Sequence, residues 1–377
     1  MNLSPTLAQF FSPAGILSLL KPAEAVKRGT PRVLPAAFYE QGNADPGNPV
    51  GTQVGFYRTT NNRDAAKLSS PGDPSRAVSV PGAVFVTMTG IGGKENFDIT
   101  PSTLAALESP IQFQKQMAVM EVARNINNFY SRFTELRTQA IHSLFSLSAV
   151  YADSSGQILS SSSGAQTSLT YGWSTANQLT TNGAASTYNI GDWSSASTDI
   201  GAAIRSIIVA NLRATGYPLT TIYYGSNMPG YLAKNTVLSE YFKRNNAVRD
   251  AIAIDNEIPE GFLGMKWVPV WKAFRTDGDN TGAEQFGATY LAFSPDPSPD
   301  WYELIPCGTV VPSNGVAAGL ITGAPTEGTA TANMEIKHGF YSYGHHLIDP
   351  YTVRVVAGDF FLPALKVPTT FYRGVCG

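Results

Sequence analysis

The chain has 377 residues, enough for two or three ordinary domains or for one elongated subunit. Its net charge of −2 removes any global electrostatic case for binding nucleic acid or an anionic membrane. Charged residues make up only 14%, against about a quarter in an average soluble protein, while the apolar fraction is an ordinary 43% and Gly (35) and Pro (25) are plentiful. A fully wet surface normally carries more charge. The shortage points to extensive surface buried against other subunits, where charged residues are depleted; an uncharged, β-rich secreted protein is the alternative.

Residues 1–50 hold short apolar pieces, Leu7 to Phe11 and Gly15 to Leu20, between prolines and ahead of a GNADPGNPV turn region. No run is long enough to close a core, so this stretch reads as an arm that is stable only when it lies on something else. The first twenty residues have no basic residue before the apolar run and are interrupted by Pro5 and Pro13, which makes a poor signal peptide. No window approaches the roughly 18 apolar residues of a membrane span. The chain is placed most simply in the cytoplasm.

Residues 51–100 form two weakly alternating extended halves (Val54 and Phe56, then Ala83 to Val86) around a polar, turn-rich centre with the breaker PGDP at 71–74. This predicts a long hairpin with a polar tip, which has few ways to be stable in isolation. It reads either as a loop that clasps a neighbour or as a surface loop. The basic residues it offers to a neighbour are Arg58, Arg63, Lys67 and Arg76.

Glu108 to Leu147 reads as one long amphipathic helix opened by Ser109-Pro110. Apolar residues fall at Val119, Val122, Ile126, Phe129, Phe133, Leu136, Ala140 and Leu144, in steps of three and four that draw a single buried stripe. Met117, Met120, Ile141 and Phe145 widen it. At about 1.5 Å per residue the helix runs roughly 50 Å, a strut on which the rest of the chain is hung.

Beyond it, short strands are predicted at Gln157 to Leu159 and Ser168 to Trp173, with Ser-rich loops at 160–163 and 194–197. Thr198-Asp199 caps a helix over Ile200 to Ala214, with Ile204, Ile207, Ile208 and Leu212 on one side. Leu219 to Tyr224 reads as a buried strand, Asn227 to Arg244 as one broken or two short helices, and IPEGFLGMKWVPVWKAF and GATYLAF as strands. Residues 196–330 should therefore make a compact mixed domain. Ala332 to Gly377 is all β in character and can complete a sheet beside the strut.

No enzyme emerges. His345-His346 with Asp349 is the one cluster resembling a metal or acid–base site, but neighbouring strand residues point to opposite faces, so the pair reads as structural or surface. Asp296, Asp300 and Glu303 lie in or next to the loop SPDPSPD and have no partner base. GIGG at 90–93 lacks the following GK[ST] of a phosphate loop, and no GxSxG elbow occurs. Cys307 and Cys376 are too few for a disulfide framework, no zinc spacing is present, and a reactive thiol at Cys376 has no assigned base. The basic residues of 205–249 read as solvated helix faces. No metal, cofactor or catalytic residue is assigned.

The joint order of FDITPSTLAALESP, AIHSLFSLSAVYADSSGQIL, DWSSASTDIGAAI, GYPLTTIYYGSNMPGYLAKN, IPEGFLGMKWVPVW and YTVRVVAGDFFLPALKVPTTF resembles the major capsid (head) protein of tailed bacteriophages, lambda-type major head protein family. The resemblance implies an α+β fold of the Hong Kong 97-like kind. Its parts would be an N-terminal arm (1–50), an E-loop with flanking strands (51–100), a P-domain (101–195) whose spine helix covers about 110–146, an A-domain (196–330) and return strands of the P-domain (331–377). The spine core would be Val119, Val122, Ile126, Phe129, Phe133 and Leu136. It further implies hexamers and pentamers of an icosahedral head shell enclosing double-stranded DNA without sequence-specific binding, assembled in the host cytoplasm. Partners would be a portal, a decoration protein in some relatives and, because no large extra N-terminal segment is present, a separate scaffolding protein. Covalent crosslinking occurs in some relatives, and Lys67 is the only lysine in the tip. An encapsulin-like compartment shell and a β-rich tail or adhesion protein are the alternatives.

Overall fold

A computed structural model describes residues 34–39, 53–59, 83–170, 177–181, 188–274, 283–312, 334–347 and 352–377. In chain order its elements are β1 (Gln53–Thr59), β2 (Ala83–Thr89), β3 (Ile91–Ile99), α1 (Pro101–Glu108), α2 (Gln112–Leu147), β4 (Ala149–Ala152), β5 (Ile158–Leu159), β6 (Thr167–Thr170), β7 (Gln178–Thr180) and β8 (Tyr188–Asn189). Then come α3 (Ile200–Ala214), β9 (Thr221–Tyr224), α4 (Met228–Lys234), α5 (Ser239–Arg244), α6 (Asn246–Ala253), β10 (Lys266–Pro269), β11 (Ala273–Phe274), β12 (Ala283–Glu284) and β13 (Tyr290–Ser294). The chain closes with β14 (Tyr302–Pro306), β15 (Gly308–Pro312), β16 (Met334–His338), β17 (Tyr341–Leu347), β18 (Thr352–Leu365) and β19 (Tyr372–Val375).

The platform is the long strand β18 with α2 laid along it. β18 pairs antiparallel with β17, β3 and β14, so it is the central strand for most of its length. Pro363 sits near its far end, opposite Leu304 of β14 and past the last β3 pairing, where one side of the strand needs no ladder donor. Alternate β18 residues meet successive stretches of the helix. Val353 and Val355 pack with Val122 and Ile126, Ala357 with Phe129 and Phe133, and Phe361 with the cluster around Ala140, Ile141, Leu144 and Phe145. The geometry is matched: eighteen helical residues rise about 27 Å, and the eight strand steps from Val353 to Phe361 advance about the same. Helix and strand therefore stay in contact over their whole common length.

The helix begins later than the sequence suggests. Ser109 precedes Pro110, which drives it out of the α region (ψ 136°), so α2 starts at Gln112 rather than Glu108, and α1, capped by Thr100 with Pro101 in its first turn, is a separate helix ahead of it. Met117 and Met120 do not widen the buried stripe; both are exposed, Met120 at 65%. The reason is where the sheet stops. Ile99 and Val353, its last layer, join Ala118 and Val122, and among the described residues it is α1, through Leu104 and Leu107, that continues this cluster. Ile141 and Phe145, at the other end, are fully buried.

The second sheet runs β10-β9-β13-β19-β7-β8. Its strand β9 is buried throughout because both faces are covered: Tyr223 joins the cluster at the end of α2, while Ile222 and Tyr224 join a second core with Ile200, Ile204 and Ile207 of α3. Asp199 caps α3 by accepting from the Ala202 N–H at 2.8 Å, as read from the sequence, but Leu212 is exposed and Ile208 only part-buried. Three of this sheet's strands, β7, β8 and β19, come from outside 196–330, and β14, inside that range, pairs with β18 instead. The hairpin β1–β2 is present, with Phe56 opposite Val86 and Tyr57 opposite Phe85.

Residues 34–39 enter the core. Phe38 is ringed edge-on by Phe145, Tyr223, Trp301 and Tyr302, with ring centroids 4.9–5.9 Å away. The Tyr302 hydroxyl donates to the Phe38 carbonyl at 2.9 Å.

Candidate assembly surfaces

Of the hairpin residues expected to reach a neighbour, only Arg58 is described; Arg63, Lys67 and Arg76 lie outside the described residues. Arg58 turns inward. Its Nε donates to the Leu365 carbonyl at 3.3 Å and its guanidinium lies 5.6 Å from the Phe56 ring centre, with burial lowering its pKa. It fastens the hairpin base to the end of β18 rather than projecting from it. In the helix, Val122, Ile126, Phe129 and Phe133 are buried and Val119 and Leu136 part-buried. The structure does not bring Arg58 together with those six: it sits at the Leu365 end of β18, and they lie toward the opposite end, against Val353 to Ala357.

Three exposed apolar patches were not singled out from sequence. On the outer face of the hairpin, Tyr57 and Phe85 meet edge-to-face at 5.2 Å, and the tip of the Phe85 ring fills the space at Gly55, where any side chain would collide with it. On the leading turns of α2, Ile111, Phe113, Met117 and Met120 are exposed, Phe113 at 70%, beside an open groove against α1. Past α6, Ile254 is 76% exposed, and the α4–α5 region adds Val237 and Tyr241. Large apolar side chains left this exposed are candidate contact sites. The signal for the second patch was the stripe itself, which continues past the end of the sheet that could cover it.

Several of the described charges pair within the chain. Arg137 forms a buried ion pair with Asp359, donates to the Tyr39 carbonyl at 3.4 Å and lies 5.6 Å from the Phe361 ring centre. Arg132 meets Glu95 at 2.9 Å, Lys272 meets Glu135 at 2.6 Å, Lys366 meets Glu303 at 2.6 Å, and Arg354 clasps Asp98 through two bonds of 2.7 and 2.8 Å. The last turn of α2 ends at Ser148 in a left-handed conformation (φ 54°), and the Arg373 guanidinium donates to the Ser146 carbonyl and to Ser148 Oγ there. A cation at a helix C-terminus is favourable, although burial lowers the Arg373 pKa to about 10.

The carboxylates and thiols weighed as chemistry are engaged within the chain. Asp296 accepts from Thr220 Oγ1 at 2.8 Å, Asp300 from Ser298, and Glu303 pairs with Lys366. Cys376 is buried with Sγ 2.9 Å from the Thr289 carbonyl, and burial raises its pKa; Cys307 is pushed up to about 11 for the same reason. Thiols held this far toward the neutral form are poor nucleophiles. Asp349 lies outside the described residues, and among the described ones no group of three or more His, Cys, Asp or Glu converges as metal ligands. Among them, too, no helix is long and apolar enough to cross a membrane.

The chain is similar to a phage-related protein from Bordetella bronchiseptica at 12% identity and a TM-score of 0.46, over 92% of this chain and 98% of that one. It is similar to a chain in the capsid of the cyanophage P-SCSP1u at 9% identity and a TM-score of 0.44, over 94% and 92%. A chain from Gordonia phage Cozz is similar at 10% identity and 0.43, over 96% and 93%. All three come from phages or a phage-related protein. No family model and no curated protein matches the sequence.

Proposed function

We propose that the chain is the major capsid subunit of a tailed bacteriophage, forming hexamers and pentamers that close into an icosahedral head around packaged double-stranded DNA. The observation that carries this is the placement of the three exposed apolar patches on separate parts of one platform: the hairpin, the leading turns of α2, and the module around α3 to α6. Copies placed around a ring or lattice can cover each of these patches in turn. Heterologous contacts of this type close into rings, and simultaneous weak contacts then reinforce one another. The internal pairs of Arg132, Arg137, Lys272, Arg354 and Lys366 suit the same purpose, since wide surfaces must lose water without stranding an unpaired ion.

In this reading residues 1–50 are the arm, 51–100 the E-loop, 101–195 and 331–377 the P-domain with its spine, and 196–330 the A-domain. β7, β8 and β19 complete the A-domain sheet, and β14 belongs to the platform. A separate scaffolding protein and a portal would complete the head, with a decoration protein as a further partner, and assembly would occur in the host cytoplasm. Electron microscopy of the purified protein, alone and co-expressed with a scaffolding protein, should show shells or six- and five-membered rings; a persistent monomer in both would end the proposal. Deleting Thr59 to Ser79 should leave a folded subunit that fails to form stable shells, and normal particles would dispose of the clasp.

A further inference from the structure

The two sides of α3 differ sharply. Ile200, Ile204 and Ile207 are buried in the second core, while Val209 and Leu212 on the opposite side are 44% and 46% exposed. Arg205 and Arg213, about one turn before and one turn after Val209, are exposed on that same outer side. Ile200–Ala214 contains no Asp or Glu. Past α6 the pattern recurs with the charge reversed. Ile254 is 76% exposed, and the exposed Asp255, Glu257 and Glu260 make 254–260 a stretch with three carboxylates and no Lys or Arg. We propose that the outer side of α3 in one copy seats on residues 254–260 of a second copy. This rests on the shell reading and names two surfaces that meet within it.

Charge selects this pairing over the others. Two α3 outer sides face to face would set arginine against arginine, and two 254–260 turns would set carboxylate against carboxylate. Only the crossed pairing brings opposite signs together. Cations close in sequence to the acidic turn already have carboxylates beside them: Lys243 meets Glu240 at 2.6 Å, Arg249 meets Asp250 at 3.1 Å, and Lys266 lies 3.7 Å from Glu260. Val209 and Leu212 against Ile254 supply an apolar centre, and the charges around them a polar rim, the usual anatomy of a protein–protein contact.

Both surfaces are preset by the fold. The turn after α6 is closed by the Ile254 N–H donating to the Asp250 carbonyl at 2.8 Å and the Glu257 N–H to the Ala251 carbonyl at 3.1 Å. Asn256 takes a left-handed conformation there (φ 57°), which asparagine tolerates better than most residues. The start of α3 is tied to the segment after α4, where Asn235 Nδ2 donates to the Thr198 carbonyl and the Thr236 N–H to the Ala196 carbonyl, both at 2.8 Å. Leu212 stands about 18 Å further along the helix axis than Ile200. Because unlike surfaces meet, each copy offers one and receives the other, and the contact repeats from copy to copy until a ring closes.

The test mixes two full-length variants, Leu212→Cys and Ile254→Cys, under assembly conditions with a scaffolding protein. A mild oxidant is added, and the products are read by non-reducing electrophoresis and electron microscopy; the native Cys307 and Cys376 are buried. The expected product is a disulfide-linked dimer from the mixture and none from either variant alone. A dimer from one variant alone would mean that like surfaces meet, and closed particles without a dimer would leave the shell reading standing; either overturns this contact. Neither particles nor dimer would overturn both readings, whereas a dimer without closed particles would support the contact and count against the shell. On the Leu212→Cys chain, Arg205→Glu with Arg213→Glu should lower the dimer yield about tenfold, and Asp255→Arg with Glu260→Arg on the Ile254→Cys chain should restore it. A yield that does not respond, with circular dichroism unchanged, overturns the proposal equally.

Discussion

Around residue 142, α2 is buried on every face, with Ala140 to Ser146 enclosed by the ends of β14 and β18, the sheet strand β9 and the Leu34–Tyr39 segment. Around residue 113 the same helix is exposed on nearly every face. Both ends carry large apolar side chains: Phe145 and Leu144 at one, Phe113 and Met117 at the other. What separates them is the sheet, which runs out beneath Val122. A helix longer than the surface it rests on leaves part of its apolar stripe for something else to cover, and the uncovered end is where an interaction surface is expected.

The contrast breaks most sharply under substitution. Phe133→Asp puts a charge into the layer against Ala357 and should abolish soluble folded subunit; unchanged solubility would mean the stripe is misassigned. Phe145→Ala removes a side chain packed against Phe38 and Phe371 and should cost about 3–5 kcal/mol in denaturant unfolding.

A pH series sharpens the buried end. His142 is kept neutral, its pKa lowered to about 3 by burial and secondarily by Lys272. Unfolding restores a value near 6.5, so between about pH 6.5 and 3 the unfolded chain binds a proton that the folded chain does not. This contribution is complete above that window and is lost as pH falls through it, on the order of a few kcal/mol. His142→Gln retains a side-chain hydrogen-bonding group but cannot titrate, and should flatten that slope; an unchanged slope would assign acid sensitivity elsewhere. The smallest effect belongs to the exposed end, where Phe113→Asp should change stability by only about 0.5 kcal/mol or less. A large loss of stability there would show that the leading turns are covered within the folded chain more fully than described.

Much of the architecture was legible locally. The 3–4 stepping of Val119 to Leu144 drew the long helix, Asp199 marked the start of α3, and alternation around Val54 and Phe56 drew the hairpin. Pro110 was legible too, but as a helix opening; its effect on Ser109, one residue earlier, is what ended α1 and delayed α2. The sequence shows a hairpin arginine at Arg58 but not the Leu365 carbonyl, the Phe56 ring and the Met88 sulfur that surround it and turn it inward. The exposure of Phe113, Met117 and Met120 left no local mark, since periodicity records which face is apolar and not how far the opposing surface extends.

The sequence by itself determined the elements, the shortage of charge and the order of parts, because backbone propensity, side-chain period and capping act over a few residues. Only the tertiary structure decided that β19 and β7 enter the second sheet, that β14 joins β18, that Phe38 fills the aromatic cage at the end of α2, and that the helix overhangs its platform. Those outcomes depend on pairings between residues tens to hundreds of positions apart, where strand ladders and packed rings select partners by complementary shape, and no short window of sequence carries that information.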